Sequence, residues 1–137
     1  MMGDRGGQGT KGGFKELLVW QRAKELAVLI YKTTETGRVA KDFGLKDQMR
    51  RAAVSIPSNI AEGDERDTNK DAVRFLYIAK GSLAELRTQL EIAFEIGYID
   101  GGLFDEIDVA SASIGKMLGS LIKARTTVRL GVRGDDL

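Results

Sequence analysis

Neither cysteine nor histidine occurs among the 137 residues, and proline occurs once, at Pro57. Without thiols there is no disulfide framework, no thiol nucleophile and no thiolate metal site. Without imidazole, the side chain best suited to moving protons near neutral pH is missing as well. Most familiar active sites are thereby excluded, and neither an enzyme nor a cofactor is expected. Long apolar runs are also lacking. Uncharged stretches such as Leu26 to Tyr31 and Phe75 to Ala79 fall far short of the roughly 18 residues that a membrane-spanning helix needs. Met1 to Gly13 holds six glycines and almost no apolar residue, so it shows no secretory signal. A soluble, cytoplasmic protein is expected, and the absence of cysteine agrees with that compartment. Charge of one sign is not in excess either, with 21 Lys and Arg against 20 Asp and Glu. Any nucleic-acid site must then be a local patch.

What the chain does contain is helical periodicity. Turn residues cluster at Gly37, Gly44, Gly63 to Asp67 and Gly97 to Gly102, leaving four long segments between them. The first, about residues 14–35, places Val19, Ala23, Leu26 and Ile30 on one face, as an amphipathic helix does. The second, 45–62, carries Leu45, Met49, Ala52, Ile56 and Ile60 and ends at Gly63, where a left-handed cap is expected. Pro57 removes one helical amide and crowds the preceding turn, so a kink is expected there, with a break and restart as the competing reading. The third segment opens at Thr68, a candidate cap, with Asp71 three residues on. Its seam runs Ala72, Leu76, Ala79, Leu83, Leu86, Leu90, Ala93 and Gly97, the spacing of a helix packed at a shallow angle. The fourth repeats it as Leu103, Ile107, Ala110, Ile114, Met117, Leu121 and Ala124. Short connections favour antiparallel neighbours. An all-α, up-down-up-down four-helix bundle over residues 14–125 is expected, flanked by flexible tails at 1–13 and 126–137.

Two helices carry more apolar residues than one core stripe requires. Leu18 and Leu29 in the first, and Phe75, Ile78, Ile92 and Ile96 in the third, read either as a broadened core face or as contacts between subunits.

The run from Gln48 through Gly63, which contains Arg-Arg-Ala-Ala-Val-Ser-Ile-Pro-Ser-Asn-Ile, is followed by Phe75 to Leu86 and preceded by Leu18 to Ala23. Together these resemble the four-helix-bundle family of 23S rRNA intervening-sequence proteins over about residues 14–125. The resemblance implies a bundle that assembles into homopentamers, known from reading frames inserted in bacterial large-subunit rRNA genes, with no accepted catalytic activity. The accessory protein of diversity-generating retroelements, which works with a reverse transcriptase and nucleic acid, is similar in fold and assembly. Fold is implied more strongly than function.

Within the motif, Gln48, Arg51, Ser55, Ser58, Asn59 and Glu62 share a polar face of the second helix. They read as a hydrogen-bonded network that sets register or a subunit boundary, or else as a ligand or nucleic-acid site. Asn59 is expected to be partly buried. Gly81 and Ser82, with Glu85 a turn on, interrupt the third helix, and close approach of a neighbouring backbone is the expected reason for the glycine. For nucleic acid the signal is residues 38–51, where Arg38, Lys41, Lys46, Arg50 and Arg51 outnumber Asp42 and Asp47 by five to two. A solvated face is the alternative, and base stacking is not expected because aromatics are not interleaved with these cations. Arg50 and Arg51 lie about 100° apart on a helix. Arg51, on the face of Ser55 and Glu62, is expected to build, and Arg50, with Lys46, to be spare for phosphate. Carboxylate pairs such as Glu91 with Glu95 read as exposed faces, and the Glu-x-x-His motif of di-iron bundles is absent. The leading expectation is a non-enzymatic homo-oligomer that binds RNA or DNA through backbone contacts. The alternative is a scaffold or accessory subunit whose partner is another protein.

Overall fold

The computed structural model describes residues 13–132, and of 128–132 only the helical backbone. After a 3-10 turn at Gly13–Glu16 come five helices: α1 Leu18–Thr33, α2 Gly37–Lys41, α3 Phe43–Asp64, α4 Asn69–Glu95 and α5 Gly101–Val132. No strand occurs among the described residues. The four long helices surround one core, each packed on two others. Successive contacts run in opposite chain directions. Ser55 meets Ser82 while Gly63 meets Ala72, and Leu83 meets Gly115 while Arg87 meets Asp108. Leu18 lies beside Ser120 and Leu29 beside Glu106. Neighbouring long helices are therefore antiparallel, the arrangement of a four-helix bundle.

Sequence periodicity accounts for most of the core. In α1, Val19, Ala23, Leu26 and Ile30 are buried as expected, and in α4 every seam residue from Ala72 to Ala93 is buried. Thr68 Oγ1 accepts from the Asp71 amide at 3.2 Å and opens α4, supplying one of the partners that the first helical turn lacks. α5 departs from its expected seam. The deeply buried positions there are Ile107, Ser111, Ile114, Leu118 and Ile122, whereas Ala110, Met117 and Leu121 are half-buried. The departure begins one turn after Ile107, where Ser111 and not Ala110 is buried, whereas the same seven-residue spacing stays buried along α4. What packs against α5, rather than the repeat itself, therefore selects its inward face.

Chain boundaries shift for similar local reasons. Leu17 is extended, with φ −77° and ψ 126°, so α1 starts later than residue 14, and Phe14 folds back edge-on to Trp20 with ring centroids 5.2 Å apart. α5 runs on to Val132, past the expected boundary at 125. Arg125 is tied to Asp64 at 3.2 Å and Thr126 is half-buried, beside Tyr77 and Lys80. The rest of the two expected tails, 1–12 and 133–137, lies outside the described residues. α2 was not anticipated: Val39, too isolated to show a period, is fully buried in it.

α3 continues through Pro57 without a break. The proline is itself buried, and Ala53, Ile56 and Ile60 around it are completely so. Packing on both sides thus offsets the missing hydrogen bond. The glycine expectations change more. Gly63 is not a left-handed cap; it lies inside α3 and is buried. A Cβ there would stand 3.0 Å from the Ala72 carbonyl oxygen and 3.2 Å from Phe75 Cβ. Gly81, expected to mark close approach, is exposed and has nothing within 4 Å of its Cβ position. A left-handed helix end is found instead at Gly97, with φ +81°. There the Tyr98 amide donates to Ala93 O at 2.8 Å and the Gly97 amide to Phe94 O at 3.0 Å, the paired bonds of a Schellman end. Phe94 and Phe104 stack across that turn at 4.6 Å.

The same substitution should therefore act oppositely at two glycines. Gly63→Ala gains about 1 kcal/mol of helix propensity against an overpacking cost of about 1–3 kcal/mol, because its neighbours are a backbone oxygen and a Cβ. A net loss is expected. Gly81→Ala should gain about 1 kcal/mol. Thermal denaturation of the two variants should show melting temperatures moving to opposite sides of the parent's.

Candidate functional site

The α2–α3 corner is built from short-range caps and two long-range ties. Asp42 Oδ1 accepts from the Leu45 amide at 3.1 Å and starts α3. Its other oxygen accepts from the Tyr98 hydroxyl at 2.9 Å, across 56 residues of chain. That hydrogen bond to Asp42, with burial and the same carboxylate's charge acting in the same direction, raises the Tyr98 pKa above its ordinary value. Arg38 donates to the Gly97 carbonyl at 3.0 Å, and its guanidinium lies 5.5 Å from the Tyr98 ring centre. The end of α4 is thereby fastened to the corner that precedes α3.

Of the expected phosphate-binding residues, Arg38, Lys41 and Lys46 gather here. Arg38 and Lys41 line one cleft with Phe43, and the Lys46 ammonium lies 4.9 Å from the Phe43 ring centre. Arg38 and Lys41 are exposed and Lys46 is half-buried. Arg50 does not join them. Its Nε donates to Thr34 Oγ1 at 2.8 Å, Nη2 donates to the Tyr31 carbonyl at 3.2 Å, and the guanidinium lies 4.3 Å from the Tyr31 ring centre. Thr34 is fully buried and donates to Ile30 O at 2.8 Å. Arg51 is exposed and makes no hydrogen bond or ion pair with the described residues. Within the chain it is thus Arg50, expected to be spare, that is tied into the fold, and Arg51, expected to build, that has no partner among the described residues. The reason lies in α1, whose C-terminal end presents the Thr34 hydroxyl and the Tyr31 carbonyl to the Arg50 side of α3, information that α3's own periodicity does not contain.

The polar face of α3 is only partly a network. Asn59, half-buried as expected, donates to Ser55 O at 2.9 Å and Ser55 Oγ at 3.0 Å, and Ser55 shares a 2.8 Å hydrogen bond with the buried Ser82 of α4. Glu62 pairs with Arg66 one turn on. Gln48, Arg51, Ser58 and, across on α4, Glu85 are exposed. Beside them runs the surplus apolar stripe of α4, in which Ile78, Ile92 and Ile96 are 43%, 47% and 48% exposed. Phe75 is half-buried beneath Arg66 and Arg74, at 4.6 and 4.9 Å. On α1, Leu18 is 51% exposed, whereas Leu29 is half-buried against the core. The apolar surplus is therefore a surface on α4 and at Leu18, part of the core at Leu29, and a half-buried ring covered by two arginines at Phe75.

Sequence inspection overlooked Thr34, Tyr31 and Tyr98, whose roles depend on distant partners, and also Phe43. An aromatic does stand among the cations, between Lys41 and Lys46, and it is 68% exposed. Its position at the first residue of α3, outside any apolar stripe, was the available signal.

Arg50→Ala should lower stability by about 1–2 kcal/mol in urea denaturation, since it removes charge-assisted bonds to a buried hydroxyl and a carbonyl. Arg51→Ala should stay within about 0.5 kcal/mol of the parent, as surface changes without such partners do.

No helix among the described residues is long and apolar enough to cross a membrane. No curated protein matches the chain. Among solved structures it is similar to a protein of unknown function from the S23 ribosomal protein family of Bacteroides thetaiotaomicron, with 30% identity and a TM-score of 0.71 over 77% of this chain and 99% of that one. Residues 15–120, which contain the whole of α1 to α4, the corner and the α3–α4 polar face, match the sequence pattern of the 23S rRNA-intervening sequence proteins, and the chain belongs to that family.

Proposed function

We propose that this family member has no catalytic activity of its own, assembles with copies of itself in a bacterial cytoplasm, and binds RNA or DNA through phosphate contacts at the α2–α3 corner. The observation that supports this reading is the gathering of Arg38, Lys41 and Lys46 around one exposed corner at the end of the helices. With Asp42 and Asp47 close in sequence, the charge of a single corner is three minus two, too little for a strong electrostatic footprint. Repetition supplies the rest. The exposed isoleucines of α4 run along the side of the bundle, whereas the cations sit at its end. Copies packed side by side in a closed ring, five by family resemblance, therefore carry every corner on one rim. Modest patches so repeated act with avidity.

A second reading, in which the partner is another protein such as a reverse transcriptase, draws on the same isoleucines and on the exposed Arg51 and Glu85. An apolar stripe with unpaired polar neighbours suits a protein surface as well as a second copy. Salt separates the two readings, because phosphate contacts release counterions and apolar contacts do not.

The assembly part predicts a mass of several chains by light scattering at micromolar concentration. Ile92→Glu should reduce that mass while leaving the helical circular dichroism unchanged. A monomeric parent refutes assembly. The nucleic-acid part predicts gel-shift binding that weakens steeply with salt. Reversing Lys41 and Lys46 to glutamate should lower affinity at least about tenfold and flatten the logarithmic salt dependence by about two, close to one for each phosphate no longer neutralised. Unchanged binding by that double variant at low salt would put the protein-partner reading ahead.

A further inference from the structure

We propose that the cleft between Phe43 and Tyr98 is a stacking site for an unpaired base of single-stranded RNA or DNA, an inference that rests on the nucleic-acid reading above. Phe43 has no place in the core, and its ring is largely open to water. Exposing a phenyl ring at a helix start costs most of the burial that the same side chain would gain inside, and the Lys46 ammonium lies over this ring at 4.9 Å. Phe43 shares the lining of an open cleft of about 560 Å³ with Tyr98, Arg38, Lys41 and Asp42. That space is in the range of small-ligand sites, enough for one base with its sugar and phosphate.

The parts are held in place before any ligand arrives. Tyr98 is anchored by its hydroxyl to Asp42, Asp42 by the Leu45 amide, and Arg38 by the Gly97 carbonyl. Both oxygens of Asp42, the carboxylate lining the cleft, already accept hydrogen bonds. What remains available is a flat apolar ring, largely open to water, with the Lys46 ammonium over it at 4.9 Å and Lys41 lining the same cleft. A nucleotide matches both features, because every base has a π-face and every nucleotide carries a phosphate beside it. An acidic peptide would meet the lysines but leave the ring unmatched. Duplex is a poorer fit, since its bases already stack on one another and expose only edges.

The test compares the full chain with Phe43→Leu and Phe43→Trp, binding a short single strand that contains 2-aminopurine and the corresponding duplex. The parent should prefer the single strand and quench the probe's fluorescence. Phe43→Leu should lose about tenfold in single-strand affinity together with the quenching, keep its duplex binding, and melt like the parent. Phe43→Trp should retain affinity and quenching. If Phe43→Leu binds the single strand and quenches as the parent does, the stacking site is refuted and the phosphate reading stands. A parent that binds neither strand form refutes both. Equal weakening toward single strand and duplex also overturns the proposal, because Phe43 would then act on phosphate contacts rather than on a base.

Discussion

Everything distinctive about this surface follows from how closely α4 lies on α3. At Gly63 the Ala72 carbonyl comes so near that a single methyl group has no room. Farther along the same pair, two serine hydroxyls meet at 2.8 Å. Small side chains let two helices approach, and the approach then fixes their register, because sliding by one residue would place bulk at Gly63 and strand the hydroxyls without partners. Once that register is set, the seam from Ala72 to Ala93 faces inward and Ile78, Ile92 and Ile96 have nowhere to go but out. The apolar stripe is thus a consequence of close packing on the neighbouring row.

The other end of the molecule shows how charge is divided between holding the fold and facing solvent. Arg50 and Arg38 each donate to a carbonyl oxygen near a helix end and lie against a tyrosine ring. Carbonyls at helix ends lack intrahelical donors, and a planar guanidinium can satisfy one while its face covers an aromatic ring. Lysine, with a compact ammonium on a flexible stem, suits that task less well, and it is Lys41 that stays exposed at the corner. Charge counted along the chain therefore overstates what the folded surface offers to a ligand.

Family membership and the similar Bacteroides structure establish the fold frame without deciding what the corner meets. The corner residues are of the kind that can vary within one frame. Phe43, Lys41 and Lys46 contribute little to the core, so exchanging them would change this surface at small cost in stability. The residues that tie the corner down, Asp42, Arg38 and Tyr98, are coupled to one another and to Gly97, and none of them changes alone without leaving a partner unsatisfied.

The periodicity of apolar residues was sufficient, by itself, to determine the number of long helices, the inward face of α1 and α4, and the start of α4 at Thr68, because these depend on spacing and on groups within a few residues. The sequence also placed Ser55 and Asn59 on one polar face and marked α4 as carrying an apolar surplus, but the bond from Ser55 to Ser82 came only with the packing of α4 on α3. Spacing could not decide the α5 seam, in which Ser111, Leu118 and Ile122 turn inward rather than Ala110, Met117 and Leu121, since small or apolar residues stand side by side there and the neighbouring helices select between them. Nor could it assign Gly63 and Gly81, whose difference lies wholly in what stands opposite: a backbone oxygen in one case and open solvent in the other. The difference between Arg50 and Arg51 within the chain has the same origin. Both are arginines on one helix, and only the position of Thr34 and Tyr31, sixteen and nineteen residues earlier in the chain, determines which of them is held and which is left free.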